Sequence, residues 1–505
     1  MKKEKRNSIA RGIFVGVSLL LQVGWLLLII LKLNRYSAYI SLLTGLLAAL
    51  AVLGLYSRQT TSAYKIPWIM LIMALPVMGL SLFLLTQLSL SSKGAARYIG
   101  SRKREIAGLL AEDDKTLCQL AEQSRSAANQ MGYLSRHNGS PVYTNTQTEY
   151  FGDCVDAFER MKEDLRSAEK FIFMEYFIIE DGACFRQLRE ILKERAAAGV
   201  DVRLMYDDIG SIGKTNWKYA LGLKGDGIRC HAFNPALPVL SLFMNHRDHR
   251  KITVIDGKVG YTGGYNLADE YFGRQKPYGH WKDTGLRLEG DAVQGLTATF
   301  LELWTVAERS VEDIRPFLQR NRSVCADGCV QPYGDSPLDR ERAAENVYLN
   351  LVGHAERYVW FMTPYLIITE ELSRAMSLAA KRGVDVRIIT PGIPDKRAVY
   401  AITRSYYPGL VESGVRIFEY SPGFCHGKMC ISDGKMASIG TSNLDYRSLY
   451  LHFENNVLLY DSRAVGQMEQ DFEETFLLCR EVTGEYRSRM LRLGQYFLRL
   501  FAPLL

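Results

Sequence analysis

His249-Arg250-Lys251-Ile252-Thr253-Val254-Ile255-Asp256-Gly257 and His426-Gly427-Lys428-Met429-Cys430-Ile431-Ser432-Asp433-Gly434 carry one pattern at two places in the chain. Each continues at the same offsets, to Gly263 and Asn266 in the first copy and to Gly440 and Asn443 in the second. The spacing is H-x-K-x4-D-x6-G-x-x-N. At ordinary residue frequencies one H-x-K-x4-D match in a chain this long is expected roughly a few per cent of the time. Two matches that continue alike are far rarer. Each apolar run after the lysine reads as a strand, closed by an Asp-Gly turn. A plain pair of hairpins with solvated polar residues would leave the repetition unexplained. A histidine, an ammonium and an amide are what a phosphodiester site needs, and two copies supply an attacking base and a proton donor.

Working outward, the flanks repeat as well. Ala168-Glu169-Lys170 leads into the apolar strand Phe171 to Phe177, and Ala355-Glu356-Arg357 leads into Tyr358 to Met362. An amphipathic helix follows each, over 184–198 and 370–382. Each helix is stopped by a glycine, in Gly199-Val200-Asp201-Val202-Arg203 and Gly383-Val384-Asp385-Val386-Arg387, where a second strand begins. Each half therefore reads as strand, helix, strand with added strands, an α/β sandwich unit. Duplication is the better account, with two halves joined near Arg315 to Gln331 and facing each other across a pseudo-twofold axis. The expected organisation is 1–93 as an anchor, 94–135 as a polar connector with a helical look over 106–121, and 136–315 and 316–505 as the two α/β domains.

A histidine acting as nucleophile or acid needs an acceptor on its second nitrogen. Asp283 and Glu454 open corresponding strands after the two motifs. The register assigns each to the histidine of its own half, Asp283 to His249 and Glu454 to His426.

The 505 residues are 47% hydrophobic, but the longest apolar runs crowd into the first 90 positions. The runs 13–33, 37–56 and 66–90 are each long enough for about 30 Å of hydrocarbon. They predict a multi-pass membrane anchor of three helices, with a kink at Pro76; the alternative is a buried helical bundle. Lys2, Lys3, Lys5, Arg6 and Arg11 place the N-terminus inside by the positive-inside rule, while Lys93, Arg97, Arg102, Lys103 and Arg104 form an opposing basic flank. Nine scattered cysteines without a C-x-x-C pair favour a reducing compartment. The expectation is a cell-membrane protein with its catalytic part on the cytoplasmic side. A net charge of +7 suits nucleic acid or anionic lipid equally. Beside three membrane segments, an anionic membrane surface is the simpler partner.

The doubled motif resembles that of the phospholipase D superfamily, and its surroundings are similar to bacterial cardiolipin synthases. The stretches that carry the likeness are Asn245 to Lys251, Val254 to Gly257, Thr262-Gly263-Gly264-Tyr265-Asn266 with Asp269-Glu270-Tyr271, and Gly440 to Ser448 followed by Phe453-Glu454. Two positions depart from that pattern. His452 stands where the family usually has Asn, and Lys282 where Arg commonly precedes Asp283. The resemblance implies two pseudo-twofold-related phospholipase-D-like domains behind a transmembrane helix bundle. It also implies a reaction that joins two phosphatidylglycerol molecules into cardiolipin and releases glycerol, without metal or other cofactor.

On this reading one histidine attacks phosphorus while the other protonates the departing glycerol and then deprotonates the incoming hydroxyl. Superfamily precedent favours His249 as nucleophile and His426 as acid and base. Lys251 and Lys428 supply cations, and Asn266 and Asn443 supply neutral donors to non-bridging oxygens. Asp256 and Asp433, at the turns, suit structural pairing. The apolar run Leu237 to Met244 is a candidate for dipping into a lipid interface. The competing enzyme readings are a phospholipase D-type hydrolase, or a phosphodiesterase or nuclease. No basic groove with interleaved aromatics stands out, so no nucleic-acid partner is expected. A non-catalytic scaffold would be expected to have lost one of the motifs.

Overall fold

The computed structural model describes residues 38–486 except 59–60, 88–89, 111–113, 216–217, 236–244, 310–311, 319–325, 327 and 340, together with scattered positions between 17 and 32 and at 499 and 502. The strands of the first half are β1 (Thr146–Phe151), β2 (Phe171–Tyr176), β3 (Asp201–Asp207), β4 (Arg229–Phe233), β5 (Arg247–Asp248), β6 (Lys251–Ile255), β7 (Val259–Gly263), β8 (His280–Lys282) and β9 (Gly285–Gly290). Those of the second are β10 (Cys329–Asp335), β11 (Tyr358–Met362), β12 (Leu366–Ile367), β13 (Asp385–Pro391), β14 (Arg416–Tyr420), β15 (Gly423–Cys425), β16 (Met429–Ser432), β17 (Met436–Gly440), β18 (Leu444–Asp445), β19 (His452–Tyr460) and β20 (Cys479–Glu481).

Two mixed sheets result. The first runs β1-β9-β7-β6-β2-β3-β4 and the second β10-β19-β17-β16-β11-β13-β14-β20. Over their first seven strands the two orders match position for position. The pairing sense matches too: β2, β3 and β4 are parallel, as are β11, β13 and β14, and the other steps are antiparallel. The parallel step in each half needs a crossover, supplied by helices Ala183–Ala197 and Glu370–Lys381. Gly199 and Gly383 end these crossovers with φ of 91° and 95°, a conformation that favours glycine.

Alternation along the strands sorts residues between layers. Val359 and Phe361 point into the core under the second half's own helices, whereas Trp360 and Met362 enter a core shared by both sheets. Ile172, Met174 and Tyr176 face the first half's helices, and Phe171 and Phe173 face the shared core. Helix Val293–Glu308 contributes Leu296, Phe300 and Trp304 to the shared layer, and helix Arg463–Leu477 contributes Val465, Met468 and Phe472. The polar segment after the apolar runs forms helices Leu90–Ala107, Asp114–Gln123 and Arg125–Asn138, so the helix read over 106–121 is broken after Ala107.

The N-terminal expectation is corrected. Among the described residues no helix is long and apolar enough to cross a membrane. The third apolar run is divided at Pro76 into Ser62–Ala74 and Pro76–Gln87, of 13 and 12 residues. At about 1.5 Å per residue each reaches only about 20 Å. Ala48 and Leu55 of helix Ala38–Ser57 bury themselves against Ile72, Leu80 and Phe83 of these two helices, a packing that hydropathy alone does not reveal. The transmembrane bundle, the multi-pass membrane location and the sidedness derived from it are therefore withdrawn. The first apolar run, 13–33, lies mostly outside the described residues, as does the run 237–244.

Candidate functional site

The two halves are stitched together at the motifs. Ahead of His249, β5 pairs parallel with the start of β19, Arg247 opposite His452 and Asp248 opposite Phe453. Ahead of His426, β15 pairs parallel with β8, Cys425 opposite Lys282. The histidine backbones continue these ladders: His249 N–H donates to the Phe453 carbonyl at 2.9 Å, and His426 N–H to the Lys282 carbonyl at 2.7 Å. In each case the next residue of the partner strand is the carboxylate.

The histidines consequently exchange partners. Nδ1 of His249 lies 2.9 Å from both carboxylate oxygens of Glu454, and Nδ1 of His426 lies 2.6 Å from Asp283 Oδ2. The assignment of each carboxylate to its own half is thus reversed. Strand register within a half gave the right residues, and the short inter-half strands decide which histidine each one meets.

The carboxylates are themselves held. Glu454 is fully buried and accepts from the Ser448 hydroxyl at 2.6 Å and from the Thr441 hydroxyl. Asp283 is equally buried and accepts from the Thr284 N–H at 2.9 Å. Gly264 allows this approach, since a Cβ there would stand 2.0 Å from Asp283 Oδ1 and 3.0 Å from the His426 carbonyl. Burial raises the Asp283 carboxyl to about 6, against the pull of Lys428 and Lys251.

Both lysines are buried beside their histidines. Lys251 Nζ donates to the His249 carbonyl at 2.6 Å; Lys428 Nζ lies 2.8 Å from Nδ1 of His426 and donates to its carbonyl. Burial lowers Lys251 to about 7 and Lys428 to about 8. Burial, followed by the charges of the two lysines, holds both histidines well below 6.5. A bound anion opposes that shift and favours the protonated ring that a general acid needs. With Nδ1 turned to a carboxylate, Nε2 of each ring is left for substrate.

Other predicted residues have different work. Asp256 accepts from the N–H groups of Glu169, Lys170 and Phe171, and Asp433 does the same for Glu356, Arg357 and Tyr358. They tie the motif turns to the starts of β2 and β11, the structural pairing expected of them. Asn266 does not offer a free amide: Nδ2 donates to the Tyr271 hydroxyl at 2.7 Å and Oδ1 accepts from Ile178 N–H. Asn443 is buried, with its backbone N–H donating to Ser448.

Several neighbours carry no signal in the motif itself. The His249 ring packs edge-on to Phe177 at 5.0 Å and against His452 at 5.2 Å. The His426 ring is surrounded by Tyr271, Trp281 and Phe424 at 5.4 to 5.7 Å. Thr441, Ser448 and Tyr271 lie within stretches that had stood out only by likeness. His249, His452 and Glu454 offer ligand atoms within 4.8 Å of one another, the spacing of a metal cluster. That set fits a cation poorly, because Arg447 already donates to His452 Nε2 at 3.2 Å and Lys251 and Lys428 add positive charge.

The family described as "Cardiolipin synthase, PLD-like domain" matches residues 161–304 and 348–476. A protein of Streptococcus mutans is 40% identical over 459 residues, covering 90% of this chain and 99% of that protein. The cardiolipin synthase of Halalkalibacterium halodurans is 34% identical over 467 residues, covering 90% and 91%. Cardiolipin synthase 2 of Bacillus cereus is 38% identical over 368 residues, covering 72% and 71%. Among solved structures, phosphatidylserine synthase of Haemophilus influenzae shares the fold at a TM-score of 0.55 and 16% identity, covering 71% of this chain and 93% of that one.

Proposed function

We infer, for a chain that belongs to the phospholipase-D-like cardiolipin synthase family and is an enzyme of that family, that it transfers a phosphatidyl group between two phosphatidylglycerol molecules. The products are cardiolipin and glycerol. The observation that carries this reading is the pair of buried histidines, each held through Nδ1 by the other half's carboxylate and each beside a lysine.

His249 Nε2 attacks phosphorus, a P–N bond forms, and the P–O bond to glycerol breaks as His426, protonated on Nε2 when the anionic lipid binds, delivers that proton to the leaving oxygen. The hydroxyl of the second phosphatidylglycerol then gives its proton to His426, forms the new P–O bond and breaks the P–N bond. Lys251 and Lys428 offset charge on the phosphoryl oxygens in a site shielded from water. Glu454 stabilises the imidazolium form of His249, and Asp283 that of His426. Asp256 and Asp433 hold the strands that carry the motifs.

A lipid surface is the natural partner for such a substrate. Leu42, Leu46, Leu53, Tyr56 and Met73 leave a largely exposed apolar face on the N-terminal helices, of the kind that rests against lipid. The test is incubation of the full chain with phosphatidylglycerol vesicles and analysis of the lipids. Cardiolipin with free glycerol supports the reading, whereas phosphatidic acid alone would make the protein a lipase.

A further inference from the structure

The proposed second displacement brings a second phosphodiester into the site, and with it another negative charge. Lys251 and Lys428 are buried and bonded to the histidine backbones, and the proposed reaction already uses both on the phosphoryl being transferred. Most of the nearby cations are occupied too. Arg247 is bound to Asp207 through Nε at 2.8 and 3.0 Å, Arg250 to Glu302, and Lys282 to Asp471 and the Gly152 carbonyl. Arg447 donates to His452.

Lys396 differs. It follows β13 in a segment pinned over the junction of the two halves: Gly392 N–H donates to the Tyr420 carbonyl at 3.0 Å and Ile393 N–H to the Gly423 carbonyl at 3.1 Å. The Tyr365 hydroxyl donates to Asp395 at 2.6 Å, and Lys396 Nζ stands 5.5 Å above the Tyr365 ring. That ring lies 6.4 Å from Phe424, which lies 5.7 Å from His426. A continuous aromatic wall therefore leads from His426 out to Lys396. The ammonium is 66% exposed, and its carboxylate neighbour Asp395 is 3.9 Å away, beyond hydrogen-bond reach. Its charge lowers both His249 and His426, after burial and the nearer lysines and, for His249, after His426 as well.

We propose that Lys396 binds the phosphodiester of the acceptor lipid, at the rim on the His426 side, and so selects an anionic lipid alcohol over uncharged acceptors. The proposal rests on the reaction inferred above and names the part of the chain that recognises its second substrate. The acceptor's phosphate sits on Lys396 while its hydroxyl reaches phosphorus. The hydroxyl proton passes to His426, the new P–O bond forms, and the P–N bond breaks.

The test compares two acceptors with one donor. Phosphatidylglycerol vesicles report cardiolipin formation, and added labelled glycerol reports exchange into phosphatidylglycerol, which uses an uncharged acceptor. In Lys396→Gln, cardiolipin formation falls about fivefold more than glycerol exchange, the size an exposed charge pair supports. The fall resides in the concentration dependence on acceptor lipid, Lys396→Glu deepens it, and Lys396→Arg restores it. Equal losses in the two assays would assign Lys396 to the reacting phosphoryl and overturn the proposal; so would no loss in either. A wild-type protein that exchanges glycerol but makes no cardiolipin would instead overturn the proposed reaction itself.

Discussion

The exchanged carboxylates give the two halves separable chemical tasks, and Glu454→Gln and Asp283→Asn separate them. Glu454 accepts from His249 through both oxygens at 2.9 Å, with the Ser448 and Thr441 hydroxyls filling its remaining positions. Glutamine keeps the shape, and the two hydroxyls can rotate to accept from its amide, so the fold is retained. What is lost is a hydrogen bond to a charged partner, about 1.5–3 kcal/mol. That corresponds to a rate loss of roughly 10- to 150-fold. A phosphatidyl ester of p-nitrophenol, whose leaving group needs no proton, isolates the attack step as a burst of nitrophenolate. With His249 as nucleophile, Glu454→Gln slows the burst by about 100-fold, whereas Asp283→Asn changes it by less than about threefold, because the acid is bypassed. With phosphatidylglycerol as donor both variants are slow. If Asp283→Asn abolished the burst and Glu454→Gln spared it, the inter-half pairing or the assignment of the nucleophile would be wrong.

The remaining expectations concern the supporting shell. Asp256→Ala and Asp433→Ala each remove the acceptor of three backbone N–H groups at a residue with φ near 55°. Each should lower the unfolding free energy by about 1–2 kcal/mol in urea titration, with turnover per folded molecule falling far less than in a histidine variant. Gly264→Ala pushes a methyl group onto Asp283 Oδ1; it should cost about 1–3 kcal/mol of stability and disable the proton-transfer step, visible as a retained burst but lost cardiolipin synthesis. The free enzyme holds Lys251 at about 7 and Lys428 at about 8, lowered by burial. Since kcat/KM reports the free enzyme, it should fall as pH rises through that window and the ammonium groups lose their protons. Lys251→Arg, which stays charged, should carry the alkaline limb to higher pH; an unmoved limb would remove Lys251 from phosphate binding.

Much of this site is legible in the sequence. The doubled histidine and lysine are close in sequence, and the apolar runs behind them can only be strands, so β6 and β16 followed directly. The helix stops at Gly199 and Gly383 placed β3 and β13. Asp283 and Glu454 were identified by register, but their exchange depends on β5 with β19 and β8 with β15. These strands are two or three residues long where they pair, and no periodicity marks them. The Asn266 side chain suits donation to phosphate, but its amide is occupied by the Tyr271 hydroxyl five residues on, a residue marked only by family likeness and not by any pairing signal. The N-terminal runs were read by hydropathy, which counts apolar residues but not whether they bury one another, as Leu55, Ile72 and Phe83 do. The break at Pro76 was legible, and its consequence for helix length was underrated.

The central claim is that one phosphoryl group is handed over twice within a site shared by two halves. Phosphatidylglycerol made chiral at phosphorus with oxygen isotopes or sulfur tests it directly. Two in-line displacements through a phosphohistidine predict that cardiolipin carries the transferred phosphorus with its configuration retained. Inversion would mean a single direct displacement, and the pairing of the two histidines described above would then have no role as an attacking base and its partner.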